Sequence, residues 1–209
     1  MPLSPGDLDR LLDLLSIPDS LSEGLDKADK ALRQAYWTDK NVGIVAWLGG
    51  VVLPLVHRPL NDEDRSVVKT IAYNVASFLW RGWDEPGITI NQDQHILGRQ
   101  AAEINLMLAN DLNKELIAKS RANWMLAAYH LIDRDFKASA EKFQTAADQA
   151  KKDGNVAEEL LSLAFADLAK NSPTLDARLD ALRAQENGEA YAGQVVTAAR
   201  VCGFKIADH

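Results

Sequence analysis

One cysteine, Cys202, stands in 209 residues, so no disulfide can close within the chain, which fits a reducing compartment. A basic excess is missing as well. The net charge is −7 and the isoelectric point about 5.1, which argues against nucleic-acid binding, since that normally needs a basic face to displace counterions. The same deficit argues against an anionic membrane surface. No apolar run is long enough to span a bilayer. The longest, Val42 to Val56, has 15 residues and contains Gly49-Gly50 and Pro54, against ~20 needed for a spanning helix. It reads as a buried core helix that bends or ends near Pro54. Met1 to Asp7 carry no positive region and lead into no long apolar stretch, so no signal peptide is expected and the expected compartment is the cytoplasm.

Sheet signals are also scarce. Strict two-residue alternation is absent, and β-branched residues cluster only in short pieces such as Val51-Val52 and Ile88-Thr89-Ile90. Between Ile88 and Asp153 there is no proline and a single glycine, Gly98, so this stretch lacks the punctuation of sheets and long loops. Helix signals recur instead. Ser4-Pro5 opens a first helix that closes near Ser16, and Ser22 opens a second that runs to about Trp37. Asn61 with Asp64 three residues on starts a fourth helix, and Asn91 with Gln94 resembles a capping box and starts a fifth. Short polar turns are expected near Asn110-Asp111, Arg134-Asp135 and Asp153-Gly154-Asn155. The last two helices cover roughly Thr174 to Glu186 and Glu189 to Val201. The expected fold is all-α: about ten helices in antiparallel hairpins, forming one domain over residues 1–209. Within it, residues 1–87 form an N-terminal helical lobe and residues 88–209 a hairpin stack.

The hairpin pattern is clearest between Ser120 and Ala169. Phe136, Ala140, Phe143, Ala147 and Ala150 follow in steps of four, three, four and three, which keeps one apolar stripe on one side of a helix. Leu126 and Ala127 in the helix before it, Asp135-Phe136 at its start, then Phe143 and Ala146, match the pattern of a tetratricopeptide repeat, and Trp124 lies within one residue of the tryptophan position. The stretch Ser120 to Gly154 therefore resembles that helix–turn–helix unit of ~34 residues. Leu160 and Leu161 begin a partial second unit. Ala127 stands where the family often has glycine, Ser139 where it usually has alanine, and no proline closes the unit. The resemblance implies a concave groove lined by the first helix of each hairpin. Here those residues are Arg121, Trp124, Met125 and Ala128.

Trp80-Arg81-Gly82-Trp83-Asp84-Glu85-Pro86-Gly87 is the most unusual local composition. In one reading it is a helix end followed by a type II turn, Pro86 supplying φ near −65° and Gly87 the positive φ. In the other, Trp80, Trp83, Asp84 and Glu85 rim a pocket for a cationic or aromatic ligand or a peptide. The four histidines, His57, His95, His130 and His209, show no i+3 or i+4 pairing and no cysteine-pair spacing, so no metal or cofactor is expected. No nucleophile elbow, phosphate-binding glycine loop or dinucleotide fingerprint occurs, and Cys202 reads as buried and inert.

The leading expectation is a non-catalytic binding module that takes a peptide or protein segment on a concave helical face, with no nucleic acid and no membrane as partner. A small-molecule-binding protein or enzyme with a pocket near Trp80–Gly87 is the second reading. The third is a homo-oligomeric structural subunit joined through exposed alanines of the last helix, Ala190, Ala192, Ala198 and Ala199.

Overall fold

Residues 20–204 are described by the computed structural model; the helix expected from Ser4 to Ser16, and His209, lie outside them. Every regular element among the described residues is helical, as the sequence predicts. The α-helices are α1 (Leu21–Trp37), α2 (Val42–Val52), α3 (Asp62–Phe78), α4 (Gln92–Asp111), α5 (Leu116–Ile132), α6 (Phe136–Asp153), α7 (Val156–Ala169), α8 (Leu175–Arg183) and α9 (Gly188–Cys202). Short 3-10 turns cover Leu53–His57 and Arg81–Trp83.

Local chemistry sets most boundaries. Asn61 Oδ1 accepts the Asp64 N–H at 2.8 Å. At Asn91 the capping box closes both ways, each side chain bonding the other residue's backbone N–H at 2.9 Å. The α1 start differs from expectation. Ser20, not Ser22, is the cap, its hydroxyl accepting from Glu23 N at 3.2 Å. Ser20 has an acid three residues on, whereas Ser22 has Leu25. The apolar α2 ends at Val52, and Pro54 turns the chain into a 3-10 segment because it brings no N–H to an α-helical bond. Gly154, with φ of 82°, closes α6 in the left-handed region that glycine occupies without a Cβ clash.

The helices group into two compact units. Residues 20–79 with 86–112 form the first, and residues 80–85 with 113–204 the second. The grouping thus differs from a division at residue 87. In the first unit α4 packs chiefly on α3, where Ala72 and Ala76 of one helix and Ala101 and Ala102 of the other are buried. Small side chains let these two axes approach closely, and the change from glycine- and aromatic-rich to alanine-rich composition marks no packing boundary. The Tyr36 ring stacks on Phe78, centroids 4.1 Å apart. Buried Asp29 accepts from Asn74 Nδ2 at 2.9 Å and pairs with Arg33, so its charge is compensated.

In the second unit each of α5, α6 and α7 packs mainly against its chain neighbour, and α9 lies on α8, α7 and the Arg81–Trp83 turn. Two buried serines tie α5 to α6. Ser120 Oγ donates to the Ala146 carbonyl at 2.7 Å, and Ser139 Oγ to the Ala127 carbonyl at 3.0 Å. Serine at these positions is nearly as small as alanine and adds a bond between helices. Asp167 near the end of α7 accepts from Thr174 Oγ1 at 3.0 Å and from Arg178 Nε at 3.3 Å, which pins α8.

Candidate functional site

Two places in the second unit gather the side chains that could carry function. The first is built around the Trp80–Glu85 segment. Trp80 is fully buried, and its indole N–H donates to the Ala128 carbonyl at 2.9 Å. Trp83 meets Trp80 edge-on at 4.7 Å and lies nearly parallel to Trp124 at 5.9 Å. Trp124 in turn touches Phe165 at 5.0 Å and Phe143 at 5.9 Å, and Phe143 stacks on Phe165 at 5.0 Å. Edge-to-face and offset geometries of this kind are the ones aromatic quadrupoles favour. Gly82 is required by this packing, because a Cβ there overlaps the Cζ2, Cη2 and Cε2 carbons of Trp80.

Asp84 holds a left-handed backbone, φ 48°, and pairs with Arg200 Nη2 of α9 at 2.8 Å. Glu85 is half-buried. Of the four residues proposed as a pocket rim, Trp80 thus belongs to the aromatic core of the unit, Trp83 lies half-buried against it, and Asp84 makes a surface ion pair. Gly87 has the positive φ, 82°, that its turn requires.

The residues expected on a concave face of α5 are mostly not accessible. Met125 and Ala128 are 1% and 0% exposed, and Trp124 is 8% exposed. Its indole N–H is buried with no acceptor. The physical reason is that α5 buries residues around its whole circumference, from Ser120 through Leu131. Arg121 alone of the four is exposed, and its Nε donates to Glu158 of α7 at 2.9 Å. The alanines expected to be exposed on the last helix are corrected similarly: Ala192, Ala198 and Ala199 are buried, and only Ala190 faces solvent.

The second place is an open groove of about 590 Å³ on α6 and the end of α7, lined by Phe136, Lys137, Ala140, Glu141, Gln144, Ala169 and Lys170. Phe136, Ala140 and Gln144 recur every four residues and so form one drifting row along α6. Phe136, although part of the apolar stripe in the sequence, remains 36% exposed. It sits in the first turn of α6, just past the end of α5 at Ile132, and meets the Phe204 ring edge-on at 5.3 Å. The rest of the stripe, Ala140, Phe143, Ala147 and Ala150, is buried. Ala140 and Ala169 are too small to fill the floor, while Lys137, Glu141 and Lys170 are exposed at the edges. The sequence signal for this groove is faint: an aromatic in the first helical turn, with one lysine beside it and alanine in the next turn.

Titratable groups elsewhere are structural in setting. Burial, helped by the nearby Asp133 and opposed by Arg81, raises the Tyr129 phenol well above its ordinary value. Burial pushes the Cys202 thiol up to about 11, with Arg134 pulling the other way, so it is protonated at neutral pH. His95 is buried, His57 exposed, and His130 Nδ1 stands 3.8 Å from Asp135 Oδ2. Among the described residues no three His, Cys, Asp or Glu side chains are grouped to hold a metal ion, and no helix is long and apolar enough to cross a membrane. No protein-family model, no curated protein and no solved structure matches this chain.

Proposed function

We propose that the second unit is a tetratricopeptide-like stack of helical hairpins that binds a peptide or protein segment without transforming it, in the cytoplasm, and that the contact surface is the α6–α7 groove. The observation that carries this reading is the groove itself: an apolar floor of Phe136, Ala140 and Ala169 beside exposed charged side chains and the half-buried Gln144 amide. Its volume falls within the ~300–1,000 Å³ usual for ligand pockets, and a half-exposed aromatic ring is the kind of surface that gains from being covered. Antiparallel neighbours α5, α6 and α7, with Trp124 of α5 reaching Phe165 of α7, support the repeat-like packing. The surface differs from the one the resemblance implies, because it lies on the second helix of the hairpin instead of the first.

Selection of a random peptide library on the purified full chain tests the proposal. A recurring sequence should emerge, and its peptide should slow amide exchange in residues 136–144 and 169–170. Phe136→Ser should abolish binding while leaving the far-ultraviolet circular dichroism unchanged. Protection of a different region, or no enriched sequence, refutes it.

A further inference from the structure

We infer that the segment held in the α6–α7 groove carries a carboxylate beside its apolar anchor, so that the partner is an acidic peptide and not a neutral or basic one. This rests on the groove being the binding surface, and it concerns what the rim reads. Lys137 leaves the first turn of α6 and Lys170 caps the end of α7; both line the groove and both are exposed. Neither makes an ion pair among the described residues. Glu141 lies one turn beyond Lys137, but the two do not pair, and lysine placed before glutamate is the weaker order for such a contact.

The rim therefore holds two ammonium groups against one carboxylate, the reverse of the whole chain's balance of −7. At physiological salt the screening length is ~8 Å, so a peptide seated in the groove feels these rim charges, with Asp135 before Phe136 at one end and Asp148, held by the Gln144 amide at 3.0 Å, at the other, more than the remaining acids of the chain. The α6 dipole does not supply the attraction, since Asp135 already occupies that end and accepts the Ala138 N–H at 3.1 Å. Selection between peptides must come from the two lysines. The floor supplies no polar group to choose among anchors, so it takes an aliphatic or aromatic side chain and leaves specificity to the flanks.

Three synthetic peptides sharing a leucine–phenylalanine anchor, flanked by glutamate, glutamine or lysine, are titrated into the isotope-labelled full chain and followed by amide chemical shifts. The glutamate peptide should bind about fivefold more tightly than the glutamine one and lose that advantage at high salt, with the lysine peptide weakest. Lys137→Glu and Lys170→Glu should each reverse the order, whereas Lys152→Glu, on the same helix but outside the groove, should not. If the signals of 136–144 and 169–170 move equally for all three peptides, the acidic preference is wrong and the groove reading stands. If those signals move for none, the groove reading falls and this inference with it.

Discussion

Gly82→Ala isolates the packing of the aromatic core. Gly82 has no positive φ to satisfy, so its substitution tests space alone. The added methyl overlaps three carbons of the Trp80 benzene ring. That ring cannot swing aside cheaply, because Trp83, Trp124 and Phe165 crowd it at 4.7, 5.6 and 6.3 Å and its N–H is bound to Ala128 at 2.9 Å. Overpacking of this kind costs about 1–3 kcal/mol. Loosening the indole adds about 1–3 kcal/mol if its buried N–H loses its acceptor. Replacing glycine returns up to about 1 kcal/mol by restricting the unfolded chain. The expected net loss is about 2–4 kcal/mol, read from urea unfolding by tryptophan fluorescence, with weakened near-ultraviolet tryptophan bands. Trp80→Phe removes most of the obstructing ring, so the double variant should show a coupling of about 1–3 kcal/mol, its second change costing far less than expected. A loss below about 0.5 kcal/mol with intact near-ultraviolet bands, or strict additivity, would refute the packing argument.

Other substitutions probe separate supports. Ser139→Ala should cost about 1 kcal/mol, the usual net worth of one buried hydrogen bond, without altering the helical content seen by circular dichroism. Asp167→Ala should cost about 2–3 kcal/mol, because Thr174 and Arg178 lose their shared acceptor, and amide exchange should accelerate first in α8. Gly50→Ala, at an exposed helical site where a Cβ meets nothing within 4 Å, should raise stability by about 1 kcal/mol in chemical denaturation. The Cys202 thiol is raised in the folded state to about 11, so its contribution to stability is complete below the ordinary thiol range and is lost as pH rises through about 11. Native protein should accordingly react with a thiol-specific disulfide reagent slowly at pH 8, and denatured protein quickly; equal rates would contradict the burial.

The helices were legible because their ends are written in short-range chemistry. Asn61, Asn91 and Gly154 act on groups three or four residues away, and any reader of spacing can find them. The role of Trp124 was less legible: its position fits a groove-lining pattern, but its environment depends on Trp83, forty-one residues earlier, which no local period encodes. Phe136 shows the converse. It belongs to an apolar stripe, yet it stays 36% exposed beside the end of α7, because a stripe says nothing about where its neighbours stop. Ser139 looked like a departure from a repeat pattern until the carbonyl of Ala127 appeared opposite its hydroxyl. Periodicity reports which face turns inward; it does not report how far along the axis a neighbour extends.

The assignment of residues 80–85 to the second unit, between two stretches that belong to the first, has a consequence for dissection and for synthesis. The chain donates a hexapeptide plug and then returns, so no single cut yields two finished halves. A fragment starting at Asn113 would lack the Trp80 indole, leaving the Ala128 carbonyl and the Trp124, Phe143 and Phe165 rings around a hole. During translation, Trp80 leaves the ribosome long before Phe165 exists to receive it. The early helices can settle first, while the later ones must close around a peg already in place.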